Sequence, residues 1–132
     1  MTKKKTVVTA PDAPAAVGPY SLAIRMGEFV FVSGTVGADP ESGELVSGGV
    51  EAQTHQALTN LSHVLASAGT SMDLVVKTTV FMQDLANFAA MNRIYGGFFP
   101  EAPPARSTVQ VAALPIGAAV EIEAIAWIPD DA

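Results

Sequence analysis

The strongest pattern along the chain runs from Val50 to Ala68. Val50, Ala57, Leu58, Leu61, Val64, Leu65 and Ala68 recur at the three- and four-residue spacing of a buried helix face. Glu51, His55, Thr59 and Ser62 take the opposite face, and Gly69 stands where a helix C′ glycine belongs. A second helix is expected after Asp84, a candidate N-cap, with Leu85, Phe88, Met91, Tyr95 and Phe98 as its buried stripe. Gly96-Gly97 weakens that helix by about 1 kcal/mol per glycine relative to alanine, so it either frays there or accepts a close neighbour. Pro100, Pro103 and Pro104 end it.

Other segments read as strands. Thr6 to Thr9 is β-prone and runs into the loop Pro11-Asp12-Ala13-Pro14. Gly18-Pro19-Tyr20 is a turn. Ser21 to Arg25 and Phe29 to Ser33 form a hairpin around Met26-Gly27-Glu28, followed by a turn-rich loop from Gly34 to Gly49. Val75 to Met82 is β-branched without strict alternation, which suits a strand covered on both faces. Ala105 to Val111 alternates, with Arg106, Thr108 and Gln110 on one face. Val120 to Ile128 also alternates, with Glu121, Glu123, Ile125 and Trp127 opposite an apolar face. These last two strands are read as an antiparallel hairpin that brings Arg106 near the end of the Glu121 strand. The expected fold is α+β, a mixed sheet with two helices packed on one face. Its other face, only partly polar, is the natural surface for self-association.

Composition adds weight to that surface. The chain has 132 residues, which fits a single domain over 1–132 with 1–5 as a tail. Apolar residues make up 49% and charged residues 15%, against about 25% charged in an ordinary soluble domain. So little charge points to apolar surface meeting another subunit. The formal charge of −6 repels nucleic acid, and the one basic run, Lys3-Lys4-Lys5, is a solvated tail. The absence of cysteine excludes disulfides, thiol catalysis and Cys-ligated metals. No signal peptide or membrane-spanning run is visible, so the expected compartment is the cytoplasm. Asn60-Leu61-Ser62 matches a glycosylation sequon by chance, inside a helix.

The familiar catalytic motifs are missing: no P-loop, no G-x-G-x-x-G, no G-x-S-x-G and no H-E-x-x-H. His55 and His63 lie eight residues apart on one helix, roughly 12 Å, too far to share a metal. Polar residues in awkward places remain. Arg106 opens a strand directly after a proline-rich loop, and its planar fork suits a carboxylate. Glu121 and Glu123 interrupt an apolar strand, and a partly buried carboxylate needs a partner or a task. Pattern alone leaves two readings open: an Arg–Glu pair that stabilises a sheet or an interface, or a functional site.

Six short segments, in order, carry a resemblance. They are Val17-Gly18-Pro19-Tyr20, Val32-Ser33-Gly34, Val76 to Phe81, Asn92-x-x-Tyr95, Pro104-Ala105-Arg106-Ser107 and Val120 to Ala126. Together they resemble the RidA/YjgF family of reactive-intermediate deaminases, over about Thr6 to Ile128. The resemblance implies a chorismate-mutase-like fold and a homotrimer with clefts between neighbouring subunits. It implies hydrolysis of 2-imino acids or their enamine tautomers, such as 2-iminobutanoate and 2-iminopropanoate, to 2-keto acids and ammonia. No cofactor or metal is implied. Arg106 matches the arginine that grips the substrate carboxylate, and Glu121 the acid proposed to orient or activate water. Tyr20, Ser33 and Asn92 match polar residues of the cleft. Thr108 stands where cysteine is common, and its backbone matches the one that holds the imine nitrogen and the carboxylate. Thr35 and Gln110 also depart from the frequent glutamine and glutamate. A non-catalytic metabolite-binding trimer and an endoribonuclease are the alternatives, the latter opposed by the acidic charge.

Overall fold

The structure, a computed structural model, describes residues 4–129. The expected tail over 1–5 therefore lies partly outside the described residues. Six strands form one sheet in the order β1-β2-β3-β6-β4-β5. They are β1 (Thr6–Val8), β2 (Ala23–Met26), β3 (Phe29–Val36), β4 (Val75–Met82), β5 (Ala105–Gln110) and β6 (Val120–Trp127). Two helices, α1 (Gly49–Ser67) and α2 (Phe88–Phe98), connect β3 to β4 and β4 to β5. The α+β architecture, with a mixed sheet and both helices on one face, is as the sequence pattern implies.

The sheet order corrects one expectation. The last two strands are not a hairpin. β5 pairs parallel with β4 at the sheet edge, and β6 runs antiparallel between β3 and β4. The cause is topological: a strand reached through a helical crossover returns parallel to its predecessor. The α1 crossover leaves a slot one strand wide between β3 and β4, and β6 fills it.

The core lies between the sheet and the helices. Leu58, Leu61, Val64 and Leu65 of α1 are buried against Val30, Val80, Ile122 and Ala126. Gly69, at φ 89°, ends α1 as read, and Thr70 N–H closes back on the Leu65 carbonyl. Asn60 and Gln53, two buried polar residues in this layer, are satisfied. Asn60 Nδ2 donates to the Val36 and Ala38 carbonyls, and Gln53 Oε1 accepts from Ala119 N–H. Asn60 of the sequon is itself fully buried. α1 rests directly on Gly37, where a Cβ would stand 2.5 Å from the Gln53 carbonyl oxygen.

The second helix differs from its reading. Asp84 caps a separate 3-10 turn over Leu85–Asn87, accepting from Ala86 N–H, and α2 begins only at Phe88. Leu85 and Phe88 are 40% and 39% exposed rather than buried, whereas Met91 and Tyr95 face the core. α2 runs through Gly96-Gly97 to Phe98, and no atom lies within 4 Å of a Cβ built at either glycine. β4 is covered on one face only: Thr78, Val80 and Met82 are buried beneath the helices, while Lys77, Thr79 and Phe81 on the other side are half-buried. The open sheet face carries Phe29, Phe31, Val109 and Trp127, all substantially exposed. Among the described residues no helix is long and apolar enough to cross a membrane.

Candidate active site

The expected site residues fall into two groups, and the sheet separates them. Arg106, Thr108 and Asn92 lie on the helix side, at the β5 edge. Arg106 stands opposite Thr78, a buried residue whose hydroxyl meets the Tyr95 hydroxyl at 2.7 Å. The arginine's guanidinium carbon sits 4.7 Å from the Tyr95 ring centre and 5.5 Å from that of Phe88. These α2 aromatics form a shelf over whose rings the cation sits. Asn92 lies between them in sequence, four residues after Phe88 and three before Tyr95, so it shares their side of the helix. Burial is the main cause that raises the Tyr95 phenol above its ordinary range, with the Thr78 hydrogen bond and the Arg106 charge opposing it. The Thr108 Oγ1 is buried and has no hydrogen-bond partner. Gln110, last on that face, accepts from Leu85 N–H and ties the strand edge to the start of the 3-10 turn.

Glu121, Tyr20 and Ser33 form the second group. Val120 and Ile122 are buried beneath the helices, so Glu121 projects from the opposite face. It lies at a groove of about 310 Å³ that opens where β2 stops and β3 runs on, with Val17, Tyr20, Ser33 and Gly34 among the lining residues. Ser33 Oγ donates to the Ser21 carbonyl at 2.6 Å and fixes that wall. Burial, and then the like charge of Glu123, raise the Glu121 carboxyl above its ordinary value. The pairing of β3 with β6 is irregular between Val32 and Thr35, which leaves Ser33 and Gly34 in a bulge. A Cβ on Gly34 would lie 2.6 Å from the Glu121 Cδ. Gly34 therefore shapes the seat of this carboxylate. It was not among the expected site residues, because the expected strand ends at Ser33 and Gly34 falls to the following loop, whereas β3 runs on to Val36. The aromatic shelf of Phe88 and Tyr95 was also not foreseen as part of the site.

Arg106 and Glu121 thus belong to opposite faces of one sheet, and the reading of an Arg–Glu pair within the chain does not hold. Among the described residues the ion pair is Arg93–Glu51, and Arg106 has no carboxylate partner. Both histidines make structural contacts. His63 Nδ1 lies 3.0 Å from the Asp12 carbonyl, and His55 meets the Phe98 ring edge-on. No group of three or more acidic or histidine side chains among the described residues is placed to hold a metal.

A family model described as Endoribonuclease L-PSP matches residues 10–128, nearly the whole chain. The chain belongs to the RidA/YjgF family. Among its relatives is the Reactive Intermediate Deaminase A, chloroplastic, of Arabidopsis thaliana. It is 52% identical over 125 residues, covering 95% of this chain and 67% of that protein. The mouse 2-iminobutanoate/2-iminopropanoate deaminase is 49% identical over 122 residues, 92% of this chain and 90% of its own. Of solved structures in the RidA/YjgF family, RidA from an Antarctic Psychrobacter superposes with a TM-score of 0.90 at 44% identity, covering 93% and 99% of the two chains. Escherichia coli TdcF with bound serine gives 0.89 at 37% identity, covering 94% and 99%.

Proposed function

We propose that this protein hydrolyses 2-imino acids, or their enamine tautomers, to 2-keto acids and ammonia, in a cleft between two copies of the chain. The Arabidopsis and mouse relatives, at 52% and 49% identity, bear the names of such deaminases. The observation that carries the proposal is Arg106, a cation held on an aromatic shelf with no carboxylate of the described residues to neutralise it. A small carboxylate ligand supplies that partner, and the guanidinium grips it by two parallel hydrogen bonds.

Anchoring the carboxylate sets the position of the adjacent C=N carbon, which is the proximity contribution to the rate. Water then adds to that carbon as Glu121 accepts a proton from it. The raised pKa of Glu121 makes it a stronger base than a solvated glutamate. The proton passes to nitrogen, the C–N bond of the resulting carbinolamine breaks, and ammonia leaves as the carbonyl forms. The Thr108 backbone, Tyr20, Ser33 and Asn92 line the remainder of the cleft.

One chain cannot bring Arg106 and Glu121 to one substrate, because they lie on opposite faces. A second copy packed on the open sheet face supplies the missing half, and a closed ring of three copies is the assembly proposed. The exposed Phe29, Phe31, Val109 and Trp127 suit that contact. The proposal takes a small molecule as partner, neither nucleic acid nor membrane, and the cytoplasm as compartment. A formal charge of −6 opposes RNA binding, despite the description of the family model.

The test is a coupled assay. An amino-acid oxidase generates a panel of imines, and their decay is followed with and without the protein. Acceleration by the wild type, and its loss in Arg106→Ala with the oligomer intact, is the expected result. Undiminished hydrolysis by Arg106→Ala would remove that residue from the site. Tight keto-acid binding without imine turnover would favour a binding protein instead.

A further inference from the structure

Ile116 sits in a backbone conformation that isoleucine seldom takes. Its φ is 51° and its ψ 24°, in the left-handed region. Among the described residues only Ala102 shares a positive φ without being glycine, and Ile116 alone of the two is β-branched. A branched Cβ crowds the following carbonyl there. The turn is closed by Gly117 N–H on the Leu114 carbonyl and Ala118 N–H on the Pro115 carbonyl, bonds that glycine or asparagine at 116 would also permit. Folding of the chain gains little from the side chain, which is 61% exposed. Ile116 is nonetheless part of the lining of the Glu121 groove, where Val17, 92% exposed, offers a second apolar surface. The groove's volume of about 310 Å³ equals that of roughly ten waters, far more than a methyl or ethyl group fills.

We infer that Ile116 is a specificity-determining residue, held by its strained turn so that it packs against the apolar side chain of a 2-imino acid and favours the larger ones. This rests on the deaminase reading of the same site. A strained residue that persists at a groove, with its side chain uncovered, is the expected signature of a contact completed only when a ligand arrives.

The experiment compares kcat/KM for the imines of alanine and of leucine, each generated in place by an amino-acid oxidase. The proteins are the wild type, Ile116→Val and Ile116→Asn. Asparagine tolerates the left-handed conformation, so Ile116→Asn should melt a few degrees higher than the wild type. Its preference for the leucine imine over the alanine imine should fall about tenfold. Ile116→Val, which keeps the branch, should fall less. An unchanged ratio in Ile116→Asn overturns the inference, as does an equal loss for both imines. Dissociation of the oligomer on that substitution, seen by light scattering, assigns Ile116 to a subunit contact and also overturns it. Wild-type protein that accelerates neither imine overturns the deaminase reading itself, so the two failures are distinct.

Discussion

Gly34→Ala separates a catalytic role for Glu121 from a structural one. The new Cβ would lie 2.6 Å from the Glu121 Cδ and 2.8 Å from Oε2. Ordinary carbon contacts are about 3.5–4.0 Å, so the carboxyl must retreat by about 1 Å. Its atoms are the far end of a flexible side chain, and Gly34 is not among the glycines at positive φ. Folding is therefore little affected: loss of glycine's freedom in the unfolded chain stabilises by about 0.4–1 kcal/mol and offsets the local crowding. Catalysis is affected strongly. A base displaced by about 1 Å costs on the order of 100-fold in rate. Gly37→Ala is the matched control, because its Cβ meets the helix backbone at Gln53 O and Cα, 2.5 and 2.6 Å away. That backbone cannot yield cheaply, and overpacking of this kind costs about 1–3 kcal/mol or more. Imine decay and thermal unfolding are measured on both variants. The expected result is a near-normal melting temperature with about 100-fold lower kcat/KM for Gly34→Ala, and a clear loss of stability for Gly37→Ala. Wild-type activity in Gly34→Ala would refute the role given to the seat of Glu121.

Two further outcomes follow from the same geometry. Thr108→Val replaces a buried, unpartnered hydroxyl with a methyl of the same shape; urea unfolding should show a gain of about 1 kcal/mol with hydrolysis retained, since the backbone is unchanged. Lost activity would show that the hydroxyl itself acts. For Glu121, the folded-state pKa is raised, so its contribution to stability is fully present below the unfolded value and is lost as pH rises through the folded one. As a base it works only when ionised, which places the acid limb of the kcat/KM profile above the usual glutamate range. Glu123→Gln removes the like charge, so that limb should move to lower pH; no movement, or movement upward, would contradict the cause assigned.

Elements set by local periodicity were legible in the sequence. α1 emerges within about a residue of its pattern, Gly69 ends it, and β4 matches its β-branched run. Pairing was less legible, because alternation in β5 and β6 states which residues share a face and not which strand lies beside which. The slot between β3 and β4 is created by a crossover elsewhere in the chain, and no local signal marks β6 as its occupant. The same error made an Arg106–Glu121 contact within one chain look plausible. Both residues were identifiable as polar groups out of place, whereas their separation by the sheet emerged only from the topology. The shelf under Arg106 was hidden for another reason. Phe88 and Tyr95 fit a core stripe by spacing, yet Phe88 is exposed and serves the arginine instead. The bulge at Gly34 was hidden because the continuous apolar run from Phe29 to Val32 ends before it, and a glycine there reads as the start of the loop.

The central claim is that Arg106 and Glu121 act together only across two copies of the chain. Co-expression of Arg106→Ala with Glu121→Gln, differently tagged so that mixed oligomers can be isolated, tests it directly. Each variant alone should be inactive. An isolated mixed ring of three holds two copies of one variant and one of the other, so one of its three sites joins an intact arginine to an intact glutamate, and the mixed oligomers should regain roughly a third of wild-type activity. Mixed oligomers as inactive as their parents would contradict the account.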